Sequence, residues 1–360
     1  MNTATAPRPG RAARLAETLR RRAFATPADA ALSVLVFAGL GWLGFTALDW
    51  AVLQAVWSAE DVAACRDAAG ACWSVIDARH RLILFGLYPF DEHWRSTLAC
   101  LCIIATVILS CVPALWRGTR LAGLWVAGFA AYYLLMEGSW LGLTQVTTDQ
   151  WGGLSLTLLL FSSVVLLGMP MGLGLALMRR SQLPILRFLA GAVIDFIRSL
   201  PLLTTLFTAA VVIPILLPEW LQGDKLWRVI VAFALFFAAY QAEVFRGGFQ
   251  AIPDGQVEAG NALGLSRWAV LTQIVLPQVF RHALPGTVNM VVVTFKETAI
   301  VIIIGFFEVL ASAVAAFGTG EWTPYYLEVY AFVAAIYWLF IFSLGQYGEY
   351  LRRRMRISAH

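Results

Sequence analysis

Apolar runs of roughly 20 residues recur along the whole chain, each closed by a short polar stretch. Runs of that length match the hydrocarbon core of a bilayer, where an element must satisfy its own backbone hydrogen bonds. The pattern therefore predicts an all-α fold, a polytopic transmembrane helical bundle. We place spans at roughly 30–49, 96–116, 121–143 and 153–178, a fifth ending near 217, then 227–246, 285–306 and 325–350, about eight in all. Pro184, Asp195, Arg198 and Pro201 interrupt the fifth, which predicts a short helix, a break and then the span.

The polar and mixed segments between spans carry the remaining organisation. Residues 1–29 form a basic tail with Arg8, Arg11, Arg14, Arg20, Arg21 and Arg22, suited to lie on anionic lipid. Residues 50–95 form a mixed loop with Asp61, Asp67, Asp77, Asp91 and Glu92, and 352–360 form a second basic tail. The first apolar run lacks a convincing cleavage site and reads as an anchor.

The longest candidate contact for a soluble partner in the second half is the loop 247–283. Pro253 suits a first helical position, and Gly255, Gln256, Glu258, Ala259 and Gly260 continue into a compact helix of small residues. Gly264 permits a sharp change of direction, and Ser266 can cap a second helix through Trp268, Leu271 and Ile274. Pro277 after Leu276 disfavours continuing that helix without a kink. By pattern alone this is either a docking elbow or an amphipathic helix on the membrane surface.

Composition agrees with the spans: 60% of the residues are hydrophobic and 13% charged, about half the charged share of soluble domains. The net charge of +4 does not point to nucleic acid, because most Arg residues lie at span ends. With the N-terminus inside, about 18 of the 26 Lys and Arg fall in inner segments and about six in outer ones. That bias puts both termini and the 247–283 loop in the cytoplasm and 50–95 in the periplasm of an inner-membrane protein. Cys65 and Cys72 can form a disulfide in that outer loop, whereas Cys100, Cys102 and Cys111 read as apolar fillers. No Gly-rich phosphate loop, catalytic constellation or metal-ligand spacing is present in the sequence.

Several stretches then converge. Glu258-Ala259, Gly264 and, nine residues on, Ile274-x-Leu276-Pro277 resemble the EAA loop of ABC importer permeases, with Gly260 where that family usually has a second Ala. Gly153 to Leu158, Arg198 to Leu203, Tyr240 to Gly248, Pro253 to Ala259 and Lys296-Glu297-Thr298 resemble, in order, motifs of the polar amino-acid branch (histidine, glutamine, arginine, opine). The resemblance covers about residues 150–350. With about three further spans in 30–149, the chain resembles the longer membrane subunit of general L-amino-acid transporters. It implies a MetI-like core of five spans over 150–351. It also implies a second homologous permease, a periplasmic amino-acid-binding protein, and cytoplasmic ATPase subunits that carry ATP and Mg and dock on 254–277. No cofactor would be bound by this chain.

Lys296 and Glu297 interrupt an apolar run from Val288 to Phe307, at a cost unless paired or wet. Two readings stand. Arg198 and Lys296 can accept a carboxylate, and Glu243 and Glu297 an ammonium, with Thr298 beside them on a translocation path. Alternatively, these charges pair between helices and fix the bundle, with Asp195 and Arg246 as partners. A rival function, an ion-coupled secondary transporter, needs inverted repeats that the sequence does not display. Trp151, Trp220, Trp227, Tyr325 and Tyr326 read as interfacial anchors.

Overall fold

The computed structural model describes residues 23–58, 62–318 and 320–357. The expected Arg residues of the N-terminal tail, Asp61 and the end of the C-terminal tail lie outside the described residues. The chain divides into two compact units, Met1–Asp77 and Ala78–His360.

In the first unit, α1 (Pro27–Leu48) opens on a reciprocal cap. The Asp29 amide donates to Thr26 Oγ1 (3.1 Å) and the Thr26 amide to Asp29 Oδ2 (3.2 Å). None of the residues of α1 is buried, although the helix is apolar all round. Such a surface is tolerated in lipid, not in water. Beyond it, Cys65 and Cys72 are joined by a disulfide with Cα atoms 5.5 Å apart. Val56 pairs with this loop, its amide donating to Ala71 O and its carbonyl accepting from Trp73 N, both at 2.8 Å. Trp57 stacks on Trp73 with ring centres 6.0 Å apart.

The second unit contains α2 (His93–Ser110), α3 (Gly118–Glu137), α4 (Gly153–Arg179), α5 (Pro184–Ser199), α6 (Leu202–Phe207), α7 (Lys225–Gln250), α8 (Gly255–Ala262), α9 (Leu276–Glu297), α10 (Val309–Phe317) and α11 (Tyr326–Ile357). Seven helices across the two units are long and apolar enough to span a membrane among the described residues, and the bent pair Pro184–Ser199 and Leu202–Leu216 makes up to eight. The bend is 105° and falls at the Leu200-Pro201 step, where a helical residue before proline is disfavoured. The run Arg267–Ile304 is continuous over 38 residues through Pro277. A π-helical stretch, Val270–Val275, ends just before Leu276-Pro277, so the proline sits in the first turn of α9, where no amide is required of it.

One core runs through α2, α3, α4, α7, α9 and α11. α4 and α7 approach most closely at Gly168 and Gly172, four residues apart on one face. A Cβ on Gly168 would lie 2.9 Å from Ala234 O, and one on Gly172 3.0 Å from Ala238 O. The extra spans α2 and α3 join this core through Ile103, Tyr132 and Met136 rather than forming a body apart from residues 150–351. Their junction is pinned by Arg95, which is fully buried. Its guanidinium donates to Leu135 O (2.7 Å), Met136 O (3.2 Å) and Thr144 O (2.9 Å). The last carbonyls of a helix have no intrahelical partner, so a fork of donors with positive charge fits the end of α3. Trp151 is buried, not interfacial: its Nε1 donates to Val146 O at 3.1 Å and its indole meets Tyr132 edge-on. Trp220 is 82% exposed, as an anchor should be.

Candidate functional site

The elbow between α7 and α9 is built from few contacts. Asp254 stands just before α8 without a side-chain cap, and the helix begins at Gly255 rather than at Pro253. Gly264 has φ of +75°, a left-handed conformation that costs a residue with a Cβ and turns the chain at once. Ser266 Oγ accepts from Ala269 N at 3.2 Å and starts the next helix, as its position in the sequence suggested.

The small residues of the elbow do two different things. Gly255, Gln256, Glu258, Ala259 and Gly264 are exposed. Gly260 is buried, and a Cβ there would lie 2.9 Å from Val270 Cγ2 and 3.1 Å from Ile274 Cδ1. Gly260 therefore serves the internal packing of the elbow, not the close approach of another surface. Gln278 Nε2 donates to Gln256 Oε1 (3.3 Å) and Arg267 Nη1 to Gln182 Oε1 (3.1 Å). Val270 and Val275 are buried with Phe245 and Phe249 of α7, Ala176 of α4 and Ile194 of α5. Leu276 is half-buried beside them, while Pro277 is exposed. Leu263 (79% exposed) and Trp268 (70% exposed) flank the Gly264 turn on the outside. The stretch that follows α8 thus packs against three helices and continues directly into α9.

The charged candidates separate into two places. Glu243 of α7 gathers Arg179, Arg198 and Arg246. Its Oε1 is 2.7 Å from Arg179 Nη1, and its Oε2 is 2.7 Å from Arg246 Nη2 and 3.7 Å from Arg198 Nη1. Asp195 completes the group, 3.4 Å from Arg179. The cluster ties the Arg179 end of α4 to α5 and α7. Lys296 and Glu297 are not part of it, and among the described residues neither forms an ion pair. Lys296 is exposed, Glu297 half-buried, and Thr298 buried with its hydroxyl donating to Phe295 O at 2.8 Å.

Glu308 was not singled out from the sequence. It is fully buried at the head of α10. Its carboxylate accepts from Ala311 N (2.8 Å), Thr157 Oγ1 (3.3 Å) and Tyr337 OH (3.3 Å). Burial pushes its carboxyl above the ordinary 4.5, against the pull of these donors. The signal for it was a lone carboxylate in the apolar stretch from Val301 to Phe317. No group of His, Cys, Asp and Glu that could hold a metal occurs among the described residues.

Residues 165–357 match the family model described as the binding-protein-dependent transport system inner membrane component. The chain is 41% identical over 312 residues to the inner membrane amino-acid ABC transporter permease protein YhdY of Escherichia coli, covering 85% of this chain and 84% of that protein. It is 33% identical over 420 residues to the glutamate/glutamine/aspartate/asparagine transport system permease protein BztC of Rhodobacter capsulatus, covering 98% and 96%. A chain of a solved amino-acid ABC transporter, crystallised with histidines, superposes with a TM-score of 0.50 at 31% identity over 56% of this chain and 92% of its own. Nothing among these relatives supports the ion-coupled reading. The chain belongs to the family of binding-protein-dependent transport system inner membrane components, the multi-pass inner-membrane permeases of ABC transporters.

Proposed function

We propose that this chain is the permease of an importer that moves L-amino acids from periplasm to cytoplasm, and that α8 and the Gly264 turn form its contact with a separate ATPase. The observation that carries this is the elbow: an exposed rim of Leu263 and Trp268 backed by Val270 and Val275, which are locked to α4, α5 and α7. The named relatives supply the substrate class. The Lys and Arg bias supplies the direction, with both termini and the elbow cytoplasmic.

An external binding protein then presents an amino acid at the Glu308 end, and a second, related permease completes the path. ATP and Mg act on the ATPase, whose closure displaces α8. Because α9 continues from the elbow to Glu297, the displacement reaches Lys296 and Glu297 along one helix. Their position makes them the charged groups best placed to meet a zwitterion, whereas Arg198 and Glu243 hold helices together.

The test is uptake of labelled L-amino acids by vesicles holding this chain with and without its ATPase and partner permease. Accumulation should require the ATPase, ATP and the binding protein. Accumulation against a gradient by this chain alone would overturn the proposal.

A further inference from the structure

One face of α11 carries Phe340, Leu344, Tyr347, Leu351 and Arg354, spaced three or four residues apart and so aligned along the helix. Against it stands the last turn of α2, with Ile104, Ile108 and Cys111, followed by Trp116 in the connection to α3. Between α2 and α11 lies an open hollow of about 450 Å³, and a second of about 330 Å³ lies between Trp116 and the core helices, with Phe245 of α7 and Phe280 and Leu284 of α9 in its wall. Both are lined by the same faces of α4 and α11, the first by Phe161 and Tyr347 among others, the second by Met169 and Leu351. Together they form a trough along the seam between the N-terminal spans and the permease core.

The trough is apolar along its length and cationic at one end. There the Arg354 guanidinium lies over the Trp116 ring at 5.2 Å, and its Nη1 donates to Tyr350 OH at 3.1 Å. The Trp116 indole is itself fixed by Nε1 donating to Ser110 O at 2.9 Å. Arg117 and Arg120 follow Trp116 directly, both exposed, and Arg352 and Arg353 share Glu349. Five guanidinium groups therefore lie on the two segments that meet at this end, 111–120 and 343–354, with Arg354 lining the hollow and Glu349 as the one carboxylate on either segment.

We propose that this seam holds an anionic phospholipid, one acyl chain in the trough and its headgroup at Arg354 and Arg117. A trough open to the bilayer is filled by hydrocarbon in any membrane. The excess positive charge at its mouth selects the headgroup. A zwitterionic lipid offers the same phosphate but brings a cation that the guanidinium groups repel, whereas phosphatidylglycerol brings none. The larger hollow exists only because α2 is added to the core, and Trp116 after α2 closes the smaller one, so the lipid cements the added spans. The assignment rests on placing this end in the cytoplasmic leaflet. Its test reads lipid binding, not uptake, so it fails independently of the transport reading.

The experiment is native mass spectrometry of the full chain released from mild detergent after exposure to phosphatidylglycerol or phosphatidylcholine. Phosphatidylglycerol should be retained preferentially. Arg117→Gln with Arg354→Gln should weaken it roughly 25-fold, at about fivefold per surface cation. Ser343→Trp, which fills the trough, should remove it, whereas Arg187→Gln, an exposed arginine on α5, should not. Equal retention of both lipids, or equal loss with Arg187→Gln, overturns the proposal.

Discussion

Thr157, in the second turn of α4, donates its hydroxyl to the Glu308 carboxylate at 3.3 Å and accepts the Val309 amide at 3.2 Å. Beside this pair the Gly153 amide donates to Phe307 O at 2.7 Å. The first turns of α4 are therefore stitched to the start of α10. The other end of the same helix is stitched by Arg179 to Glu243. α4 has 27 residues, so the two attachments stand about 40 Å apart. A helix held at both ends moves with its neighbours as a body.

Glu308→Ala should destabilise the protein by about 3 kcal/mol, because it strands Ala311 N and takes an acceptor from the Tyr337 and Thr157 hydroxyls, of which Thr157 keeps Gly153 O. Thermal unfolding in detergent measures this. Glu308→Gln should separate charge from hydrogen bonding. The folded carboxyl titrates above its ordinary 4.5, so the folded state holds the proton more tightly than the unfolded state. That contribution is full below the unfolded value and is lost as pH rises through the folded value. Wild-type stability should therefore fall as pH rises above 4.5 through the raised range of the folded carboxyl, and the Gln variant should lack that part of the slope.

Arg95→Met should cost about 3 kcal/mol, since two carbonyls at the end of α3 and Thr144 O in the loop after it lose the guanidinium, with only Tyr88 OH left to serve the helix end. Arg95→Lys should recover only part of it, because one ammonium cannot reproduce a planar fork across Leu135, Met136 and Thr144. Limited proteolysis should cut the loop after α3 first in the Met variant. Unchanged melting in both variants would show that the fork is dispensable.

The spans were legible because bilayer thickness imposes a length on apolar runs, and even the break before Pro201 followed from proline geometry. The π-helical stretch before Pro277 was not legible, because apolar periodicity does not distinguish π from α turns. Trp151 misled because an indole has an apolar body and one donor, and Val146 O satisfies that donor inside the core as well as water would at an interface. Of the charged residues, their presence could be read but not their partners. Arg179 and Glu243 are 64 residues apart, and only the packing of α4 on α7 brings them together.

Gly264→Trp should abolish ATP-driven uptake while leaving the protein inserted. The turn has open space around it, so bulk does not disturb the fold, but φ of +75° adds about 1–2 kcal/mol of strain for any side chain. Gly264→Ala carries the same strain without the bulk and should retain most uptake. The comparison in vesicles therefore isolates contact with the ATPase from distortion of the elbow. Equal loss in both variants would assign the defect to the backbone.

Lys296→Ala and Glu243→Gln should fail in opposite ways. Glu243→Gln leaves Arg179, Arg198 and Arg246 crowded without their shared counter-charge, so it should lower melting temperature and yield. Once purified, its apparent affinity for amino acid should be near that of the parent. Lys296 is exposed in the isolated chain and has no ion-pair partner among the described residues, so its removal costs the fold little. If Lys296 meets the substrate carboxylate, Lys296→Ala should raise the amino-acid concentration needed for half-maximal uptake by roughly tenfold, the worth of one charge-assisted hydrogen bond, with melting unchanged. Lys296→Arg, which keeps the charge, should lie between. A Lys296→Ala protein that melts early, or that transports with unaltered concentration dependence, would move Lys296 from the path to the scaffold.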